Sequence, residues 1–309
     1  MKPLAITLGD PAGIGAEVVL KAIAAVDVAV VLFGDRNYAS QSRSLPRGAT
    51  FVDVGESAGN IRFGEIDAEY GRIALRSIDA AVEAVRLGQC SALVTSPIHK
   101  QSIAAAGSEF PGHTELLAAR AGLRRYAYDY AMYLDSPSIR TVLLTVHLPL
   151  RAAIDAVDAS AIAALAALTN REYRRLYGAS PRMAVAGINP HAGEGGRFGA
   201  EEEVIARGVA MARERGLDVA GPFAADTLFL AARAGTYDVI VSMYHDQGLI
   251  AVKTLEFNRA VNVTLGLPYL RCSVDHGTAF DIAGKDAADP EPMRYAIEWA
   301  AKYAERWKA

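Results

Sequence analysis

Leu4-Ala-Ile-Thr-Leu-Gly-Asp-Pro-Ala-Gly-Ile-Gly-Ala-Glu-Val-Val-Leu-Lys-Ala-Ile-Ala-Ala-Val-Asp-Val-Ala-Val-Val-Leu-Phe33 runs from a short apolar stretch through a glycine-rich turn into a segment of helical period, then into a second apolar stretch. Leu4 to Leu8 reads as a strand, Ile14 to Ala25 as a helix and Val28 to Phe33 as a strand. The rhythm returns with helices at Gly71 to Leu87, Ala159 to Tyr177, Glu201 to Arg215 and Pro292 to Trp307. Strands are expected at Ala92 to Thr95, Thr141 to Val146, Met183 to Ile188 and Tyr237 to Ser242. Short apolar runs alternating with helices predict an α/β protein whose mainly parallel sheets are covered by helices on both faces.

The chain of 309 residues suits about two domains. No Pro/Gly/Ser linker divides it, so the crossover is placed near Asp129 to Ser136, with a return near Val274. This gives a first domain of residues 1–128 and 275–309, carrying both termini, and a second of residues 129–274. A net charge of −3 and the absence of any arginine-lysine run supply no field for nucleic acid or anionic lipid. Two cysteines, Cys90 and Cys272, make neither a disulfide framework nor a cysteine metal site. No stretch approaches 18 apolar residues, and the N-terminus turns polar too soon for a signal segment. The expected location is the cytoplasm, with no membrane and no nucleic acid among the partners.

Three of the six histidines stand where an apolar run gives way to turn residues: His147 in Thr-Val-His-Leu-Pro, His191 in Asn-Pro-His-Ala-Gly-Glu and His245 in Tyr-His-Asp-Gln-Gly. In open α/β sheets, ligands bind at the carboxyl ends of strands. Each histidine alone reads as a hydrogen-bonded polar residue. Together, with Pro, Gly and carboxylate neighbours that fix geometry, they predict a divalent metal site. Nitrogen ligands favour zinc and also admit cobalt, nickel, manganese or magnesium. Asp246 and Asp226 are candidates for proton transfer, or else a helix cap and a partner to a ligand.

Lys253, Asn262 and Arg271 follow at intervals of nine and together have the chemistry of a phosphate site. His113 and Thr114, in Gly-His-Thr-Glu, open a helix and can face a ligand from its N-terminus. The glycines at 9, 13 and 15 do not spell a dinucleotide fingerprint and are read either as an anion-holding turn or as a tight strand-helix connection. In His276-Gly-Thr-Ala-Phe-Asp281, small residues including Gly277 suit contact with an adenine. There the Asp281 carboxylate would take ribose hydroxyls and repel a 2′-phosphate, favouring NAD over NADP.

At these residues the chain resembles the 4-hydroxythreonine-4-phosphate dehydrogenase family of pyridoxal phosphate biosynthesis. The likeness runs from Gly9-Asp-Pro-Ala-Gly-Ile-Gly through Gly-His-Thr-Glu, Thr-Val-His-Leu-Pro, Asn-Pro-His-Ala-Gly-Glu and Tyr-His-Asp-Gln-Gly to Val-Asp-His-Gly-Thr-Ala. More distantly, Gly-Asp and His-Gly-Thr-Ala-x-Asp-Ile-Ala-Gly-Lys are similar to isopropylmalate and isocitrate dehydrogenases. The chain departs from the family at Thr95-Ser-Pro97 and at Glu256-Phe-Asn-Arg-Ala260.

The resemblance implies a homodimer of two-domain subunits with a cleft between the domains and the active site at the interface. It implies metal ligation by His147, His191 and His245, and substrate contact by His113, Thr114, Lys253, Asn262 and Arg271. It further implies NAD-dependent, metal-dependent oxidation of 4-phosphooxy-L-threonine at C3 with decarboxylation, or the same chemistry on erythronate or threonate 4-phosphate. From the residues alone, a zinc hydrolase with three histidine ligands is the alternative of a different class.

Overall fold

The structure, a computed structural model, describes residues 2–35 and 45–307. The chain forms two compact units, one of Met1–Arg120 with Pro268–Ala309 and one of Ala121–Leu267. Both are α/β, as the alternating pattern predicts.

In the first unit, strands β1 (Leu4–Thr7), β2 (Val30–Gly34), β3 (Ala49–Asp53), β4 (Leu93–Thr95) and β11 (Arg271–Ser273) lie side by side in the order β3-β2-β1-β4-β11. Every pairing among them is parallel. Among the described residues, this unit also holds helices α1 (Gly15–Ile23), α2 (Ala68–Arg86), α3 (Lys100–Ala105), α4 (His113–Arg120) and α10 (Glu291–Ala304). β1 is buried at every residue, with α2 and α10 packed against it, and Leu4, Ile6, Leu32, Ile78 and Leu93 are wholly inaccessible. Full burial of each such side chain stabilises by roughly 1.5–3 kcal/mol. α2 starts where Asp67 accepts the Glu69 N–H at 2.8 Å.

The glycine turn after β1 is a packing device. Gly9 has φ +77°, and a Cβ there would stand 2.2 Å from the Pro97 carbonyl oxygen. At Gly15 it would stand 2.2 Å from the Leu8 carbonyl oxygen. The amides that an anion would need are already used. Ala12 N–H donates to Asp10 Oδ1 at 2.9 Å, Gly13 N–H to the Asp10 carbonyl at 3.1 Å and Ile14 N–H to the Thr278 carbonyl at 3.0 Å.

The second unit contains β5 (Ala131–Asp135), β6 (Arg140–Leu143), β7 (Met183–Ala186), β8 (Val219–Phe223), β9 (Val239–Ser242) and β10 (Val261–Leu265), in the order β10-β5-β6-β9-β7-β8. β5 runs antiparallel to both β10 and β6, and the other pairings are parallel. Residues 129–136, expected as a crossover, therefore hold a strand. Ala-Met-Tyr-Leu-Asp is buried at every position but holds no Val, Ile or Thr, unlike the runs at β1, β6 and β9. Its helices are α5 (Leu150–Asp155), α6 (Ala159–Tyr177), α7 (Glu201–Glu214), α8 (Ala225–Arg233) and α9 (His245–Glu256). α6 is capped by Asp158, which accepts the Ala161 N–H, and ends at Gly178 in the left-handed region.

Cys90 and Cys272 are separate buried thiols. Among the described residues no helix is long and apolar enough to cross a membrane.

Candidate active site

Two of the three histidines meet at the carboxyl ends of neighbouring strands. Leu144 N–H donates to the Ser242 carbonyl at 2.8 Å, and Thr145 Oγ1 donates to the Met243 carbonyl at 2.8 Å, so the exits of β6 and β9 are tied together. Beyond the tie, His147 takes φ 50° and His245 opens α9, and their ring centroids lie 5.8 Å apart, tilted by 40°. They line one open cavity with Val146, Leu150, Tyr244 and Asp246. His245 Nδ1 meets Asp246 Oδ1 at 2.7 Å, which turns Nε2 to the opposite side of the ring. Carboxylate-oriented imidazole is the usual arrangement around a bound metal.

His191 lies in a turn over Pro190–Gly196, after β7, where residues 191 to 195 all have positive φ. Three of these, His191, Ala192 and Glu194, are not glycine, and left-handed backbone costs roughly 1–2 kcal/mol for such residues. The His191 ring is exposed beside Phe198, at 6.1 Å between centroids. Among the described residues no group of three or more His, Cys, Asp or Glu side chains of this chain is arranged to hold a metal. The single chain thus pairs His147 with His245 and does not add His191 to them. The two imidazoles, one oriented by a carboxylate, still suit a divalent cation in the chemistry of their donors.

The expected phosphate residues fall in both units. Arg271, on β11, is only 2% exposed and donates to Thr95 Oγ1 from Nε at 3.2 Å and from Nη2 at 2.6 Å. Burial pushes its guanidinium down to about 10, against the opposing pull of Cys272, Tyr269 and Glu115, so it remains cationic at neutral pH. A buried cation of this kind gains from an anion brought to it. His113, at the start of α4, has a half-buried ring whose Nε2 is shut off from solvent without a hydrogen-bond partner among the described residues. Burial first, and the Arg271 charge second, hold its pKa well below the usual imidazole range. Thr114 beside it is 4% exposed.

In the second unit Lys253, on α9, holds its ammonium 6.0 Å from the centre of the Phe257 ring. Asn262, on β10 opposite Leu134, has a buried Oδ1 without a hydrogen-bond partner among the described residues.

The His113 environment has a consequence for acid stability. Below the ordinary imidazole value of about 6.5 the unfolded chain takes up a proton that the folded chain refuses, so stability falls as pH drops. Melting temperatures measured from pH 8 to pH 5 should fall more steeply in the wild type than in His113→Gln. The expected difference in slope is at most about 1.4 kcal/mol per pH unit. Parallel curves would show that the imidazole is not held neutral by the fold.

The expected cofactor loop follows β11 and is fastened to the glycine turn through the Ile14–Thr278 bond. Phe280 stacks on His99 with ring centroids 4.6 Å apart and planes 16° from parallel. His276 Nδ1 meets the Gly277 carbonyl at 3.0 Å. Gly277 is exposed, with no heavy atom within 4 Å of where a Cβ would stand. Asp281 is exposed, and its carbonyl accepts from Lys285 Nζ at 2.7 Å. Asp226 is an exposed carboxylate in the first turn of α8.

Several site-building residues escape the sequence reading. Thr95 beside Arg271 and His99 beneath Phe280 sit in apolar or turn strings without a charge pattern to single them out. Glu202 is hidden in Glu201-Glu-Glu203, which reads as acids favoured at a helix start. Asp10 is buried, and desolvation raises its pKa despite the Ala12 N–H bond and the neighbouring Ser102 and His99.

Residues 7–300 match the family described as pyridoxal phosphate biosynthetic protein PdxA. The chain belongs to this family. A relative from Beijerinckia indica named 4-hydroxythreonine-4-phosphate dehydrogenase is 42% identical, the match covering 97% of this chain and 94% of that one. A relative from Salmonella typhimurium named D-threonate 4-phosphate dehydrogenase is 37% identical over 98% and 99% of the two chains. The crystal structure of a 4-hydroxythreonine-4-phosphate dehydrogenase from Klebsiella pneumoniae matches with a TM-score of 0.87 at 36% identity, over 98% of this chain and all of that one. The family's named members are thus dehydrogenases, and the hydrolase alternative falls away.

Proposed function

We propose that the protein is an NAD-dependent dehydrogenase that oxidises 4-phosphooxy-L-threonine at C3 and releases CO₂ to give 3-amino-2-oxopropyl phosphate. The observation that carries this reading is the full-length match to dehydrogenases named for four-carbon 4-phosphates. Arg271, buried against Thr95 beside His113, supports recognition of a dianionic phosphate. In this reading Thr114, Lys253 and Asn262 complete the substrate contacts, and Asn262 Oδ1 takes a hydrogen-bond donor from the substrate.

His147, His191 and His245 are assigned to a divalent metal, zinc by ligand type. Such a metal would supply polarisation of the substrate hydroxyl and of the carbonyl made from it, and NAD⁺ would supply the hydride acceptor for C3. Asp246, held beside His245, receives the hydroxyl proton directly or through water, with Asp226 as the other acceptor. Phosphate binding at C4, beside C3, would hold that carbon against the nicotinamide. His276, Gly277 and Asp281 are assigned to the adenosine half of NAD.

The assembly is a homodimer with the active site at the subunit interface. Leu148 and Leu150 beside the paired histidines, and Ile250, Leu255 and Phe257 along and just past α9, are exposed at 42–65% of their full area, and a partner surface would cover them. In this arrangement His191 of the partner subunit completes the pair. Two separate buried thiols suit the reducing cytoplasm.

The relative named for D-threonate 4-phosphate supports a second reading with the same chemistry, in which C2 carries a hydroxyl in place of the amine. A panel of phosphorylated hydroxy acids, followed by NADH absorbance with and without a chelator, tests both. Turnover of the amino acid phosphate that stops with chelator is expected. A preference of tenfold or more for threonate 4-phosphate would establish the second reading, and turnover indifferent to chelator would remove the metal from either.

A further inference from the structure

The turn that carries His191 is wound left-handed for five residues, and three of them pay a steric penalty that glycine would escape. Such a turn keeps its shape only if its surroundings fix it. The side chain that makes most of the polar contacts to its entry is Glu202. Glu202, 8% exposed in the first turn of α7, accepts the Ile188 N–H at 2.9 Å and the Asn189 N–H at 2.7 Å on Oε1. Its Oε2 accepts from Asn189 Nδ2 at 2.8 Å, and the same amide nitrogen donates to Glu201 Oε2 at 2.7 Å. The carboxylate thus grips the two residues that lead into Pro190 and His191.

The turn also folds back tightly on the end of β7. A Cβ at Gly193 would lie 2.9 Å from Glu202 Oε2, and one at Gly187 would lie 3.0 Å from Ala192 Cα and 3.3 Å from Glu202 Oε1. Glycine at both positions lets the carboxylate reach in. On the other side of Gly187, its carbonyl accepts from Gln247 Nε2 at 2.8 Å, while Gln247 Oε1 accepts the Met243 N–H at 2.7 Å. One residue therefore links the end of β7 to the turn that precedes His245.

The structure assigns Glu202 as the positioning residue for His191, a carboxylate clamp that holds a strained turn in the form that presents the imidazole. This rests on the reading of His191 as a metal ligand. The hydrogen bonds of Glu202 run to the residues before His191 and not to its imidazole. Its effect is on the geometry of a ligand, and orienting groups of this kind are worth about 10–100-fold in metal affinity.

The test is competition for Zn²⁺ between the metal-stripped full-length protein and a chromophoric chelator, with NAD binding measured alongside as a readout from the other unit. Glu202→Ala should weaken Zn²⁺ binding about 10–100-fold, with NAD affinity unchanged. Glu202→Gln, which keeps one oxygen for the two backbone N–H groups, should recover most of the affinity. Glu202→Asp keeps the charge but shortens its reach to the Ile188 and Asn189 N–H groups, and should weaken Zn²⁺ as well. It also stands in for Glu202→Ala if that variant fails to fold. Folded Glu202→Ala or Glu202→Asp protein with wild-type Zn²⁺ affinity, even at a lowered melting temperature, would overturn the clamp and leave the metal reading intact. Wild-type protein that takes up no Zn²⁺ would instead overturn the metal reading, and the clamp with it.

Discussion

His191→Ala is expected to lose its divalent metal and its turnover, with metal affinity down by more than about 100-fold, since even an orienting residue is worth 10–100-fold. Metal analysis of the purified variant against wild type checks this. A variant that stays loaded and active would refute the ligand assignment. The pairing of His147 with His245 in one chain adds a sharper expectation. Inactive His191→Ala and inactive His147→Ala proteins, unfolded together and refolded as a mixture, should regain about a quarter of the sites. In the mixed dimer one site keeps all three imidazoles and the other loses two. A mixture that stays dead would place all three ligands on the same chain.

Arg271→Ala is expected to raise KM strongly with a smaller loss in kcat. Truncating one partner of a buried, hydrogen-bonded charge pair costs about 2–5 kcal/mol, or roughly 30-fold to several thousand-fold in kcat/KM. Most of that loss belongs in KM because the phosphate contact is made equally before and during reaction. Arg271→Lys should recover little. A point charge cannot reproduce the planar fork that already gives Nε and Nη2 to Thr95. Steady-state kinetics on the phosphorylated substrate decide the matter, and a collapse of kcat at constant KM would contradict the positioning role.

Much of this was legible in the sequence because two physical signals coincide there. Alternating apolar runs and helical periods marked β1, α1, α6 and β9, since burial dictates their residue choice. The histidines stood out because strands end in Pro, Gly and carboxylate residues around them. β5 was missed because Ala-Met-Tyr-Leu-Asp holds no β-branched residue, and β3 because its edge position leaves residues such as Val52 exposed at 39%. The clamp at Glu202 was unreadable for a different reason: its three hydrogen bonds reach backbone and amide groups 13 and 14 residues away, and the side chain's type alone predicts a helix start. Sequence pattern reports burial well and reports long-range polar contacts poorly.

The place of β11 in the first unit bears on how the chain comes off the ribosome. β4 pairs with residues 271–273, which emerge only after the whole of Ala121–Leu267 has been made. Until then the nascent first unit carries an unfinished strand edge, while the inserted unit already has every strand of its own. Synthesis therefore favours maturation from the middle outward, with the N-terminal half waiting, open to stray strand partners, for the last forty or so residues to arrive.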